Sequence, residues 1–398
     1  MVFFYFLAAL SIWLGIQSLL NGIRYAAYVR RETARALPDY QPFVSVIAPG
    51  RGLEEGLQEN LQALLEQDYP RYEVLFVFDR ADDPAIQIIG HGSSRMARTI
   101  IAGPATDSGQ KVHNLRVAVT EVDPESEVLV FVDTDARPAK DWLKHLVAPL
   151  ADETLGASTG YRWFIPNRGG IASRLRGVWN ASVASALGSD TAKNFCWGGS
   201  TAIRRSTFAK LDVSERWRGT VSDDFTITRV LKEAKLPIHF TPHCLVASVG
   251  DCDFKELFEF TTRQIKITRV YASNLWLALL VGSSLFALVF FGGFILLILQ
   301  QILKILPPSF ILPLALIVIF ILGATKSFIR WRAINIPLTQ YRSALNRDLL
   351  AHIFLWPFAS LLYLYNAIVA GFSQRITWRG ITYELKSPTE AVIISRVR

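Results

Sequence analysis

Residues Phe3 to Ile23 (FFYFLAALSIWLGIQSLLNGI) form a 21-residue run with no charged side chain. A helix needs roughly 20 apolar residues to cross the hydrocarbon core of a bilayer, so this run predicts a membrane anchor over residues 1–28. A cleaved secretory leader is the competing reading, but leaders carry positive charge ahead of the apolar stretch, and nothing basic precedes it here. The basic residues follow it: Arg24, Arg30, Arg31 and Arg35. Positive charge flanks the cytoplasmic ends of membrane helices, so the N-terminus is expected outside and the next segment in the cytosol.

Apolar runs return within residues 272–373. Leu275 to Gln300, Ile311 to Thr325 with its flanks, and Leu349 to Phe372 predict three further spans. Lys326, Arg330, Arg332, Arg342 and Arg347 lie between the last two and belong inside. Counting spans then puts the tail, residues 374–398, outside, whereas Arg375, Arg379, Arg396 and Arg398 favour the inside; the two signals conflict. Charged residues make up only 19% of the chain, below the quarter or so of soluble proteins, as a multi-pass protein requires. The net charge of +8 sits largely beside apolar segments, which points to an anionic membrane and away from nucleic acid. Cys196, Cys244 and Cys252 form no CxxC and cannot build a disulfide framework, as fits a reducing cytosol.

Residues 40–271 read as a globular cytosolic domain. Val44 to Ala48, Glu73 to Phe78 and Glu127 to Val132 are short apolar runs of strand type, and Leu57, Leu61, Leu64 and Leu65 have helical spacing. Strands alternating with helices predict a doubly wound, largely parallel α/β sheet, whose functional residues gather beyond the carboxyl ends of the strands. Those ends carry Pro-Gly-Arg-Gly at 49–52, Asp-Arg-Ala-Asp-Asp-Pro at 79–84 and Asp-Thr-Asp-Ala-Arg-Pro at 133–138. The glycines at 50, 52 and 56 do not make a dinucleotide fingerprint, because Glu55 stands where its third glycine belongs.

Asp133 and Asp135, one residue apart after a buried strand, can share a hard divalent cation, Mg²⁺ or Mn²⁺, that bridges to substrate phosphates. A nucleotide-sugar diphosphate is the ligand this chemistry suits. Gly198-Gly199 would let backbone approach a ligand closely, or merely make a tight turn. Asp224, at the start of a helical stretch, either caps that helix or acts as a general base on an acceptor hydroxyl; beside an Asp-x-Asp in the same domain, the base is favoured. Arg263, Lys266 and Arg269 lie three apart on one helix side just before the membrane. They would either meet anionic headgroups or cradle the pyrophosphate leaving group.

This order of motifs resembles the membrane glycosyltransferases of the ceramide glucosyltransferase type, in the family-2/21 group with a GT-A fold. The resemblance runs through Pro49-Gly-Arg-Gly52, Gln67-Asp-Tyr-Pro-Arg-Tyr-Glu-Val74, Asp82-Asp-Pro-Ala85, Lys111-Val-His-Asn-Leu115, Asp133-Thr-Asp135, Gly198-Gly-Ser-Thr-Ala202, Asp223-Asp224, the basic stripe and Trp378-Arg-Gly-Ile-Thr-Tyr383. It implies inverting transfer from a nucleotide sugar, with a UDP-sugar expected, to a membrane-lipid hydroxyl at the cytosolic face. It places Pro49, Arg51, Lys111 and Asn114 around the donor, Asp82 or Asp83 on the nucleotide, Asp133 and Asp135 on the metal diphosphate, and Asp224 as base. The chain departs from the family twice. Asp223 stands where the family commonly has Glu, and the (Q/R)xxRW box falls on Arg263-Gln-Ile-Lys-Ile267, with Lys for Arg and Ile for Trp. Lys keeps the charge but loses the bidentate fork. Ile267 also counts against a processive polysaccharide synthase, which stacks its growing chain on that Trp. A non-catalytic sugar-nucleotide binder would be expected to have lost these carboxylates.

Overall fold

The structure, a computed structural model, describes residues 2–89, 97–301 and 310–396; Arg398 lies outside them. In chain order its principal elements are helix α1 (Val2–Thr33), strand β1 (Val44–Pro49), α2 (Leu57–Leu65), β2 (Tyr72–Phe78), β3 (Ala97–Ile101), α3 (Gln110–Thr120) and β4 (Val128–Phe131). Then come β5 (Ala157–Ile165), α4 (Ile171–Ala184), β6 (Thr201–Arg204), α5 (Asp223–Glu233) and β7 (Ile238–Val249). Helices α6 (Phe254–Tyr271), α7 (Ser273–Gln301), α8 (Ile311–Ile334), α9 (Leu349–Phe354) and α10 (Trp356–Phe372) precede a final sheet of β8 (Arg375–Trp378), β9 (Ile381–Ser387) and β10 (Glu390–Arg396).

The chain divides into two compact units that ignore linear order. One, the sheet unit, comprises residues 31–167, 186–250 and 374–398; the other, the helical unit, comprises 1–30, 168–185 and 251–373. The sheet unit is mixed α/β. Its seven strands run in the order β3-β2-β1-β4-β6-β5-β7. Strands β1 to β4 pair in parallel, β6 is antiparallel to both neighbours, and β5 and β7 are parallel. Every residue of β2 and β4 is buried, which explains why those segments read as continuous apolar runs instead of alternating ones. Leu75, Val77, Leu129 and Phe131 meet Leu115 of α3 and Trp217 in one core. The tail joins this unit: Ile381 and Leu385 are wholly buried, and the Tyr383 hydroxyl accepts a hydrogen bond from the Gln110 N–H at 3.1 Å.

In the helical unit α1, α7 and α8 are long and apolar enough to cross a membrane; α10, at 17 residues, is shorter. Among the described residues, two C-terminal helices are of spanning length where three were expected. The run Leu349 to Phe372 fails because it is broken at Leu355, ahead of Pro357, into α9 and α10. At the elbow, Trp356 packs on Gly323 partway along α8 and on Phe286 and Phe290 of α7. Both ends of the segment return to one side: Trp331 near the end of α8 donates to the Leu345 carbonyl, and Trp276 at the start of α7 donates to that of Ala367. Helices α1 and α8 run parallel, since Gly15 faces Leu322, Ser18 bonds Lys326 and Gly22 packs on Lys326.

Candidate active site

The carboxylates cluster where the parallel half of the sheet ends. Strand β4 delivers Asp133 two residues past its end, and the following turn is pinned from both sides. Asn60 of α2 donates to the Thr134 carbonyl at 3.1 Å, and the Arg137 N–H donates to Ala247 in β7 at 3.0 Å. Lys111, the second residue of α3, places its ammonium 2.7 Å from Asp133 Oδ1 and 3.1 Å from Asp223 Oδ1. Arg162 of β5 lies 3.1 Å from Asp133 Oδ2 and 3.2 Å from Asp135 Oδ2, with its guanidinium 4.9 Å over the Trp197 ring. The result is an alternating chain of charge: Asp135, Arg162, Asp133, Lys111, Asp223.

Burial opposes the charges of Asp133, Lys111 and Asp223, and their partners overcome it for the first two. Burial would raise Asp133, but Lys111 and Arg162 outweigh it and hold the carboxyl below its ordinary value. Lys111 is likewise opposed by burial and kept above its ordinary value by Asp133, Asp223 and Asp224. Asp223 goes the other way: burial, reinforced by Asp224 and Asp133 against the pull of Lys111, pushes it up to about 6. Its Oδ2 is buried and has no hydrogen-bond partner among the described residues. The glycine pair exists to admit this chain. A Cβ at Gly198 would lie 2.2 Å from Asp223 Oδ2, and one at Gly199 would lie 2.8 Å from Asp133 Oδ2.

Ser222, not Asp224, is the N-cap of α5: its hydroxyl accepts from Phe225 N–H at 3.3 Å. Asp224 stands in the first turn, half-buried, with Oδ1 held by the Ser222 hydroxyl and the Phe225 N–H. Asp83 is spent on backbone, accepting from Gly52 and Ala85 N–H, each at 2.9 Å, while Asp82 is exposed and forks with Arg80. Asn114 is buried, accepting from the Gln110 side chain at 2.8 Å and donating to Val77 at the end of β2. Pro49 closes β1, and Arg51 after it faces Asp79 at 3.6 Å. The tail adds Arg379, ion-paired with Glu54 and held below its ordinary value by burial and by the charge of Arg51.

Arg263, Lys266 and Arg269 stand on α6 in the helical unit. There the Arg263 guanidinium lies 5.7 Å over Phe260, and Arg269 lies 5.3 Å over Trp276 while donating to the Ala370 carbonyl. Sequence reasoning missed Arg162, Asp223 as the Lys111 partner, and Arg379. Arg162 had a signal, because it is the lone charge in the otherwise uncharged strand ASTGYRWFI.

The family model described as Glycosyl transferase family 21 matches residues 4–391. The glycosyltransferase AglE of Haloferax volcanii is 28% identical over 151 residues, 37% of this chain and 48% of that protein. The chain thus matches about half the length of that curated relative. A mannosyltransferase from Pyrobaculum calidifontis, solved with GDP-Man and Mn²⁺, is 18% identical, with 92% of this chain and 99% of that one covered and a TM-score of 0.47. Glucosyl-3-phosphoglycerate synthase of Mycobacterium tuberculosis, solved with Mn²⁺ and UDP-glucose, is 17% identical, with 61% and 80% covered and a TM-score of 0.35.

Proposed function

The chain belongs to glycosyl transferase family 21, and from that membership we propose that it moves a hexose from a UDP-sugar to the hydroxyl of a membrane lipid at the cytosolic face, inverting the anomeric centre. The observation that carries the reading is the charge chain itself, with two carboxylates converging on one cation beside a third acidic residue at a helix start.

The site suits a Mg²⁺ or Mn²⁺ ion. Asp133 and Asp135 offer hard oxygen donors that already share one positive group, Arg162. Among the described residues no cluster of three or more His, Cys, Asp or Glu surrounds a point, so the remaining ligands would come from the donor diphosphate and water, as is usual for Mg²⁺. When bound, the ion supplies charge stabilisation to the departing nucleotide diphosphate. Lys111 and Arg162 keep Asp133 ionised for that task. Asp224 accepts the proton of the attacking hydroxyl; its Oδ1 is fixed by Ser222 and Phe225, which leaves Oδ2 for the acceptor. Asp223 instead holds Lys111. Arg51, beside Asp79, serves the donor phosphates in this reading.

The test uses the full-length protein in lipid nanodiscs with labelled UDP-hexoses and extracted lipids. Labelled lipid should form with Mn²⁺ and stop in excess chelator. Asp224→Asn should keep donor binding but lose about 10²–10⁴-fold in turnover, the usual share of a positioned base. Near wild-type transfer by Asp224→Asn, or full activity in chelator, would sink the corresponding role.

A further inference from the structure

Arg330 is 3% exposed near the end of α8 and, among the described residues, makes one long hydrogen bond, to the Ser185 hydroxyl at 3.4 Å. Its Nε is buried and has no hydrogen-bond partner among the described residues. One turn earlier on the same face Lys326 donates to Ser18 Oγ at 2.7 Å. Among the described residues no carboxylate lies within salt-bridge distance of either cation. The side chains that interact with Arg330 electrostatically include Tyr25, Tyr363, His352 and Lys326, with no carboxylate among them. The indole N–H groups of Trp179 and Trp356, on flanking helices of the same unit, are also buried without acceptors. A buried charge left unpaired costs several kcal/mol, and ionisable residues persist inside membrane helices where they meet a ligand or a partner. The unmatched groups here are donors and cations, so the missing component is an anion rich in acceptor oxygens.

We propose that Arg330 and Lys326 bind the phosphate of an anionic lipid headgroup between α1, α4 and α8. A lipid, not a soluble anion, fits because α1 and α8 are of membrane-spanning length. This site rests on those helices being in the membrane and not on the transfer reaction.

The test is thermal unfolding and native mass spectrometry of the delipidated full-length protein in detergent. Phosphatidylglycerol is added, with phosphatidylcholine and inorganic phosphate as parallel arms. Phosphatidylglycerol should raise the wild-type Tm by about 3 °C or more and be retained in the gas phase. Arg330→Gln should abolish both effects and Lys326→Gln should weaken them. Arg330→Met adds a sign test that does not depend on a folded but inactive variant: it should exceed wild type in Tm without lipid and fall below it with phosphatidylglycerol. Equal lipid shifts in wild type and Arg330→Gln would overturn the site. Equal stabilisation by phosphatidylcholine would remove the anionic requirement, and equal stabilisation by inorganic phosphate would overturn the lipid assignment.

Discussion

Arg162 bridges Asp133 and Asp135, the pair proposed to hold the divalent cation. Its side chain is only 12% exposed, so removing it leaves two carboxylates with Lys111 as the main counter-charge. Breaking a buried pair in this way typically costs about 3–5 kcal/mol. Arg162→Met should therefore lower Tm, and Mn²⁺ should restore much of the loss because the ion takes over the vacated charge. The Tm gain on adding Mn²⁺ without nucleotide should exceed that of wild type; equal gains would show that arginine and metal do not compete. Asp223 yields a pH prediction. Its carboxyl is raised to about 6, above the roughly 3.9 of an unfolded chain. Between those values the folded state holds a proton that the unfolded chain has released. Stability from this group is thus full below about pH 4 and falls as pH rises towards 6. Asp223→Asn should flatten the stability profile across that window, which urea unfolding at stepped pH will read.

At the scale of elements, β1, β2, β4 and α2 were legible because buried strands are continuous apolar runs and α2 repeats leucine at helical spacing, whereas β3, largely exposed, and β5, β6 and β7 were not read. Asp133 and Asp135 were legible for the same reason, since a strand end locates them. Arg162, Asp223 and Arg379 as partners were not, because β5, α5 and the tail meet the Asp-x-Asp turn or the donor loops only after the sheet closes. The tail shows this most clearly. Trp378-Arg-Gly-Ile381 reads as a two-residue hairpin turn, and Arg379 and Gly380 both take the positive φ that type I′ requires. Nothing local announces that the next strand carries Tyr383 to the first N–H of α3, one residue before Lys111. Helix N-termini lack intrahelical partners for their first N–H groups, and a supplied acceptor is worth about 1 kcal/mol. Tyr383→Phe should cost about that much in chemical denaturation and lower kcat through Lys111. Deleting residues 374–398 should expose the core under Ile381 and Leu385 and leave the sheet unit sensitive to protease. A truncated chain as resistant as wild type would separate the tail from the fold.

For the whole molecule, span counting and charge disagreed about the tail, and the broken third segment reconciles them. If Leu349 to Phe372 crossed the bilayer, the chain after it would emerge opposite the segment that follows α1. The tail instead belongs to the same compact unit as residues 31–167, so an even number of crossings must separate them. Helices α7 and α8 are long and apolar enough to provide two. The parallel course of α1 and α8 agrees, because both then leave the membrane on the same side. Helix α10 is about 25 Å long at 1.5 Å per residue, short of a hydrocarbon core of about 30 Å, and its elbow at Trp356 lies against α7 and α8 while both segment ends return to one side. We therefore expect three crossings with a re-entrant helix pair, the N-terminus outside and the tail inside, where Arg375, Arg379 and Arg396 satisfy the positive-inside rule. A membrane-impermeant maleimide should label Phe310→Cys, at a position 80% exposed before α8, in intact cells. Lys386→Cys, on the exposed side of β9, should react only after permeabilisation. Labelling of both in intact cells would restore the third crossing, and labelling of Lys386→Cys alone would reverse the orientation of the whole chain.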